Sequence, residues 1–311
     1  MPAAEPTLSA YRNPLARYFA ATRPAFLSVT LVGCVLGLAS AQADGVTLRA
    51  LEAFLTVAFA LVAHAGINVL NDYYDALNGS DAANTERRFP FTGGSRFIQN
   101  GVLTLRATGI FGYALLAAVV PAGLWLAHAS APGLLWIGQA GLATGWAYSA
   151  PPFKLMSRGL GEIAVALGWL IVVVGADYVQ RGEFSYTPVV AGLGYGLLMA
   201  NLLFINQFPD LKADAAAGKR NLVVRLGPQR ARWLYPGIAV SAHLWLFGAV
   251  LAGALPMLSL LALASAFPAS LAARRLLRDA KRPAALDPAI RATIGAALLH
   301  GALFAGALFA T

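Results

Sequence analysis

The sequence has a single cysteine, Cys34, so no disulfide can form within the chain. Its four histidines, His64, His128, His243 and His300, are scattered, which argues against a zinc site. Charge is scarce as well. Only 12% of residues are Asp, Glu, Lys or Arg, against about a quarter in soluble globular domains. No cleaved leader is evident, because the first stretch of the chain is polar or mixed rather than apolar.

What the chain has instead is hydrocarbon. It is 58% hydrophobic with a mean hydropathy of +0.64, the composition of a polytopic membrane protein. Its 311 residues read as one transmembrane domain, 1–311, because no internal repeat suggests two halves. Residues 1–22 form an expected cytoplasmic N-terminal segment. A net charge of +9 would raise nucleic acid as a partner for a soluble protein. Here basic loops fix topology and meet anionic headgroups, so the expected partner is the lipid bilayer and not nucleic acid.

A membrane span needs ~20 mainly apolar residues. That measure predicts an all-α bundle of nine spans, near 25–42, 50–70, 107–127, 132–149, 161–179, 188–207, 233–252, 255–273 and 290–310. Glycines within the spans, such as Gly192, Gly194 and Gly196, are expected to permit close helix packing. With the N-terminus inside, every Lys and Arg of the 23 except Arg49 and Arg181 falls on the cytoplasmic side. An odd count then leaves Thr311 outside the cell's plasma (inner) membrane. Two long cytoplasmic connections, 71–106 and 208–232, are expected to lie side by side as a partial cap.

Each of those connections opens on an acid-rich stretch. Asn71-Asp72-Tyr73-Tyr74-Asp75 has Asp81 beyond it, and Asn206-Gln207-Phe208-Pro209-Asp210 is followed by Asp214. Carboxylates beside lipid are costly unless they face a polar cavity, pair, or hold a cation. On a helix, Asn71 and Asp75 share a face, as do Asp210 and Asp214. His64 and Asn68 extend the first stripe inward, making a polar seam on an apolar helix. Pro209 is expected to break the hydrogen bond to residue 205 and kink its helix end. Asn201 falls half a turn from Asp210 and should contact a neighbouring helix. Glu162 and Asp177 lie near span ends, where interfacial exposure would explain them, and Arg87 would anchor its loop to headgroups.

Two carboxylate pairs with amide oxygens nearby make a hard, all-oxygen donor set suited to Mg²⁺. Flanked by Lys154, Arg158, Lys219 and Arg220, such a site suits a diphosphate, whose repulsion by bare carboxylates the metal would reverse. The surrounding hydrocarbon points to a lipid-tailed diphosphate. Tyr74, Tyr148, Phe153 and Trp169 are ring faces that could stabilise a carbocation left by its departure.

Asn71-Asp72-x-x-Asp75 with Asp81, then Asp210-x-x-x-Asp214 before Gly218-Lys219, resembles the paired motifs of UbiA-type intramembrane prenyltransferases. The run 71–81, Gly93-Gly94-Ser95, 158–162, Tyr178-Val179-Gln180 and 217–227 are most similar to the menaquinone-pathway branch acting on 1,4-dihydroxy-2-naphthoate. The resemblance implies a nine-helix bundle that transfers a polyprenyl group from polyprenyl diphosphate to an aromatic acceptor. It implies Asn71, Asp75, Asp210 and Asp214 as metal ligands, with Asp72 and Asp81 in support. Arg88, Lys154, Arg158 and Lys219 would meet diphosphate, with Lys154 among the catalytic groups beside Asp75, Asp210 and Asp214. His64, Asn68, Asp81, Tyr148 and Asn206 are candidates for the substrate cavity. Other acceptors (4-hydroxybenzoate, homogentisate or a lipid alcohol) and a secondary transporter remain as alternative readings.

Overall fold

Apolar runs, two of them closed by the left-handed Gly79 and Gly182, divide the chain into long helices. In this computed structural model, residues 4–311 are described. Helix α1 (Pro14–Ala21), capped by the Asn13 side chain, precedes α2 (Pro24–Ala43). Helix α3 (Ala50–Asn78) stops where Gly79 takes φ 80°, a conformation that a side chain would resist. The single turn α4 (Ser80–Ala83) follows it. Helix α5 (Leu105–Ala129) starts at Thr104, whose hydroxyl accepts the Ala107 N–H. Then come α6 (Leu134–Ser149), α7 (Gly161–Arg181) and α8 (Tyr186–Ala216). Short helices α9 (Leu222–Leu226) and α10 (Pro228–Ala231) lead into α11 (Leu234–Leu251). A 3₁₀ run, Met257–Ser265, passes into α12 (Ala266–Asp279), and α13 (Asp287–Phe309) ends the fold.

The expected all-α membrane class stands, with no strand among the described residues. Eight of these segments are long and apolar enough to cross a bilayer, α10 and α11 counting as one and the 3₁₀ run with α12 as another. Helix α6 has 16 residues, so it is about 24 Å long against a hydrocarbon core of ~30 Å. Of the nine expected spans, eight correspond to helices of that length, and the region 132–149 holds only the shorter α6.

Two boundaries differ from expectation for a plain physical reason. Nothing between residues 70 and 78 breaks a helix, so α3 continues past Asp75 to Asn78. Helix α8 likewise runs through Pro209 to Ala216. The proline removes one donor but does not end the helix, because packing on both sides holds the segment. Both acidic motifs consequently sit within helices and not in loops.

Helix α8 is the central element: 72% of its apolar window is buried, against 17% for the peripheral α5. Glycines let the backbones meet there. A Cβ at Gly196 on α8 would lie 2.5 Å from the Ala166 carbonyl oxygen of α7, and one at Gly37 on α2 would overlap the Val173 carbonyl. The expected packing role of small residues thus holds at these two crossings. Asn201 donates to the Tyr235 carbonyl (3.0 Å), a neighbouring helix as expected.

The two arginines assigned to the outer side converge at one end of the bundle. Arg49 donates to the carbonyls of Ala129 (2.7 Å) and Val179, while Arg181 pairs with Asp177 (2.8 Å) and Asp44 (2.7 Å). Asp177 is therefore buried, not interfacial, because Arg181 and the Ser40 hydroxyl (2.9 Å) satisfy it. Glu162 is also buried, held by the Gln207 amide at 2.6 Å. Arg87 is tied to Glu5 (2.6 Å) and to the Asn84 carbonyl, which fastens the N-terminal segment to the 84–100 loop.

Because Gly37 touches a helix backbone that cannot yield, Gly37→Val should destabilise the bundle by roughly 1–3 kcal/mol or more. A thermal-unfolding midpoint in detergent that matches the unaltered protein would contradict this packing.

Candidate active site

A cavity of about 530 Å³ opens among α2, α3, α5, α6, α7 and α8. That volume is in the range of small-molecule sites. Its α3 wall is one stripe from Thr56 through His64, Asn68 and Asn71 to Asp75, about 28 Å of helix at 1.5 Å per residue. Helix periodicity makes this wall: residues three and four apart share the inner face. One pole is acidic. At the other, Leu126, Leu134 and Val179 line the cavity near the arginine-rich end.

Glycines thin the walls between the poles. Gly138 on α6 and Gly168 on α7 line the cavity, and a Cβ at either would meet nothing within 4 Å. Trp169 also lines it, with the His64 ring standing edge-on at 5.2 Å. His64 bonds the Thr30 hydroxyl at 2.6 Å.

Asp75, Asp210 and Asp214 all line the acidic pole, from two helices distant in sequence. The Asn71 amide nitrogen is used on Asp75 Oδ2 (3.1 Å) and Ser149 Oγ (3.1 Å), which leaves its oxygen for a ligand. Asp210 accepts from the Asn84 amide at 2.6 Å, and Asp214 from the Asn221 amide at 2.8 Å. Lys219, only 3% exposed, stands between the helices. Its Nζ is 2.7 Å from Asp75 Oδ1 and 3.2 Å from Asp214 Oδ1. Burial opposes its charge, but the two carboxylates outweigh burial and hold its pKa above the ordinary lysine value.

Asn68, Tyr148 and Asn206 line the same cavity, and the buried Asn206 Oδ1 has no protein partner. Asp81 lines it too, beneath the 93–96 turn. Gly94 takes φ 75° there, and a Cβ would overlap Asp81 Oδ2, so only glycine fits. Asp81 Oδ2 is buried without a partner. Burial, with Asp75 and Asp72 adding to it, pushes this carboxyl up to about 8.

Other candidates are placed elsewhere. Asp72 faces away from the cavity, where it pairs with Arg23 and accepts the Ser95 N–H at 3.2 Å. Three of the expected diphosphate cations do not line the cavity. Arg88 forms a two-bonded pair with Asp287 (2.5 and 2.7 Å), fixing the loop to the start of α13. Lys154 is exposed at the 3₁₀ turn that follows Pro151-Pro152, and the exposed Arg158 donates to the Pro152 carbonyl at 2.7 Å. Arg220 is exposed. Among the candidate rings, Tyr74 bonds Tyr113 (2.5 Å) and Phe153 is exposed, which leaves Tyr148 and Trp169 on the cavity.

Sequence reasoning missed Arg23 and Asn84, both of which line the cavity. In the sequence Arg23 counts among the cytoplasmic basic residues and stands in the Ala21-Thr22-Arg23-Pro24 run where the family resemblance begins. Its position just before Pro24, with a left-handed φ of 57°, was not readable from the residues around it. Asn84 is a lone loop amide with no motif to mark it.

Among the described residues no three His, Cys, Asp or Glu side chains stand as a ready metal cage, because Lys219 occupies the gap between Asp75 and Asp214. The chemistry of the donors nevertheless fits a hard divalent cation. They are oxygens only, they come from both helices, and Asn206 Oδ1 and Asp81 Oδ2 are unpartnered acceptors lining the same cavity.

Residues 27–305 match the UbiA prenyltransferase family. The chain is 31% identical to the 1,4-dihydroxy-2-naphthoate octaprenyltransferase of Mycobacterium tuberculosis, over 83% of this chain and 85% of that protein. It is 29% identical to the enzyme of the same name from Escherichia coli, over 92% and 93%. Its fold is similar to a solved digeranylgeranylglyceryl phosphate synthase (TM-score 0.62, 14% identity, 96% of this chain and 99% of that one). It is also similar to a UbiA homologue from Archaeoglobus fulgidus bound to DMAPP and Mg²⁺ (TM-score 0.59, 16% identity, 93% and 99%). The chain belongs to the UbiA prenyltransferase family and is a membrane-embedded prenyltransferase. That membership sets aside the transporter reading.

The raised Asp81 carboxyl gives a pH-dependent expectation. A proton bound in the fold but released in the unfolded chain penalises folding increasingly from about pH 4 to pH 8. The stability it confers is present at low pH and lost as pH rises through 8. Asp81→Asn, a neutral isostere, should raise the unfolding midpoint at pH 8 and leave it unchanged at pH 4. A pH-independent difference would refute the assignment.

Proposed function

We propose that this chain transfers a polyprenyl group from a polyprenyl diphosphate to 1,4-dihydroxy-2-naphthoate, with loss of CO₂ and release of diphosphate. The observation that carries this reading is the meeting of Asp75, Asp210 and Asp214 at one pole of an apolar cavity long enough to hold a lipid tail. The naphthoate acceptor rests on the relatives' names and on the likeness of residues 71–81 to that branch. Asn71, Asp75, Asp210 and Asp214 would hold Mg²⁺. When bound, the metal would neutralise charge on the departing diphosphate and so help the allylic C–O bond to break.

The chain's own residues supply the rest. Lys219 is the buried cation nearest the acids and is suited to meet phosphate oxygens. Tyr148 and Trp169 line the route that the tail and the allylic cation would occupy, where ring faces favour positive charge. The apolar walls keep water from capturing that cation. A ring carbon of the acceptor attacks, and the carboxylate it carries leaves as CO₂ with its bonding electrons restoring the aromatic ring.

In the same reading the chain is one domain, 1–311, crossing nine times with α6 as the short span. Its N-terminus would be cytoplasmic, its C-terminus outside, and its acidic pole at the inner face of the plasma membrane. The lopsided distribution of basic residues, with only Arg49 and Arg181 on the other side, supports that sense.

Membranes given labelled polyprenyl diphosphate and a panel of aromatic acids should yield prenylated product and CO₂ with dihydroxynaphthoate. Asp75→Ala and Asp210→Ala should each reduce turnover by roughly a hundredfold or more. Lys154→Ala, on the exposed rim, should remain near the unaltered rate. Turnover that survives EDTA would remove the metal from the reading, and product with 4-hydroxybenzoate alone would change the acceptor.

A further inference from the structure

Lys219 is already engaged before any substrate arrives, with two of its three ammonium donors aimed at carboxylates. Its ammonium bridges Asp75 and Asp214, at 2.7 and 3.2 Å, and so links α3 to α8. Three carboxylates at one buried pole would otherwise repel one another without water to screen them. A divalent ion joining the two helices through Asp75 and Asp214 needs the oxygens that now hold the ammonium. Two cations cannot share them at contact distance.

The backbone around Lys219 is pinned. Its own N–H donates to the Asp214 carbonyl (2.9 Å), and the Arg220 N–H donates to the Ser157 carbonyl (2.8 Å). Displacement is therefore a swing of a flexible four-carbon side chain and not a movement of the loop. The natural new partner for the ammonium is an anion placed beside the same metal.

We propose that Lys219 is a resident counter-ion that makes divalent-metal binding at this pole conditional on a diphosphate group. The proposal rests on the metal-and-diphosphate reading above. A bare ion finds one oxygen of Asp75 and one of Asp214 already held by the ammonium. A diphosphate that arrives with the ion offers fresh acceptors, so the ammonium leaves the carboxylates for phosphate oxygens as the ion takes its place. Metal and diphosphate then bind with positive coupling, which is reciprocal by linkage. Without substrate, the acids stay neutralised by the chain itself.

Mn²⁺ binding to the purified full chain in detergent, read by electron paramagnetic resonance with and without inorganic diphosphate, tests this. The unaltered protein should bind bare Mn²⁺ weakly and gain about tenfold or more in affinity with diphosphate. Lys219→Met should bind the bare ion about tenfold tighter and lose most of that gain. Chelation of Mn²⁺ by diphosphate in solution is the same for every variant and cancels in the comparison. Arg23→Met removes another cation of the cavity, one paired with Asp72, and should stay within about threefold of the unaltered protein for the bare ion.

If Lys219→Met fails to fold, Lys219→Gln, which keeps an uncharged donor between the two carboxylates, should likewise bind the bare ion more tightly and lose most of the diphosphate gain. Equal bare-ion affinity with and without Lys219, or equal tightening in Arg23→Met, overturns the counter-ion role while leaving the enzyme reading intact. No Mn²⁺ binding by the unaltered protein even with diphosphate means that the metal-and-diphosphate reading fails, and this proposal with it.

Discussion

Buried carboxylates need a cation, and this requirement organises the protein. Asp75 on α3 and Asp214 on α8 meet at one pole with Lys219 between them. Removing one partner from such a pair strands a charge where water cannot reach it, a loss of roughly 3–5 kcal/mol. The same logic recurs around it. Asp72 is neutralised by Arg23, and at the far end Asp177 is neutralised by Arg181. Lys219 joins α3 to α8 and Arg23 joins the start of α2 to α3, whereas Asp177 and Arg181 pair within α7 and reach the end of α2 through Asp44.

The bundle gives these pairs their geometry. Helix α8 is buried along most of its length, and glycines at 37 and 196 press α2 and α8 against α7. Helices α3 and α8 then deliver their acids to one pole, while α5, α6 and α7 enclose the apolar remainder. A polar head with a hydrocarbon tail has a place for each part in such a cavity. Family membership and site geometry therefore point the same way, although they draw on different observations.

The stripe of His64, Asn68, Asn71 and Asp75 was legible because helical periodicity alone puts those residues on one face. The convergence of the two acidic stretches was legible from the cost of carboxylates near lipid. Of the four expected cations, only Lys219 was. Arg88 follows the first motif in sequence, yet it pairs with Asp287, while Lys154 is exposed and Arg158 donates to the Pro152 carbonyl. A long flexible side chain goes where tertiary structure offers an acceptor, and spacing cannot report that. Helix ends were misjudged for the opposite reason. Hydropathy falls at residue 70 and near 207, but the backbone remains helical until Gly79 and Ala217. Likewise Glu162 and Asp177 looked interfacial by position, and only Gln207 and Arg181 explain their burial.

The bare stretches of wall at Gly138 and Gly168 have an entropic consequence. A surface without side-chain ends offers no grooves that fix a chain into one curve, so a flexible hydrocarbon lying against it keeps many of its rotational states. Ordering costs then do not accumulate with each added carbon unit. Those two stretches of wall therefore select weakly for the shape of any apolar group lying against them.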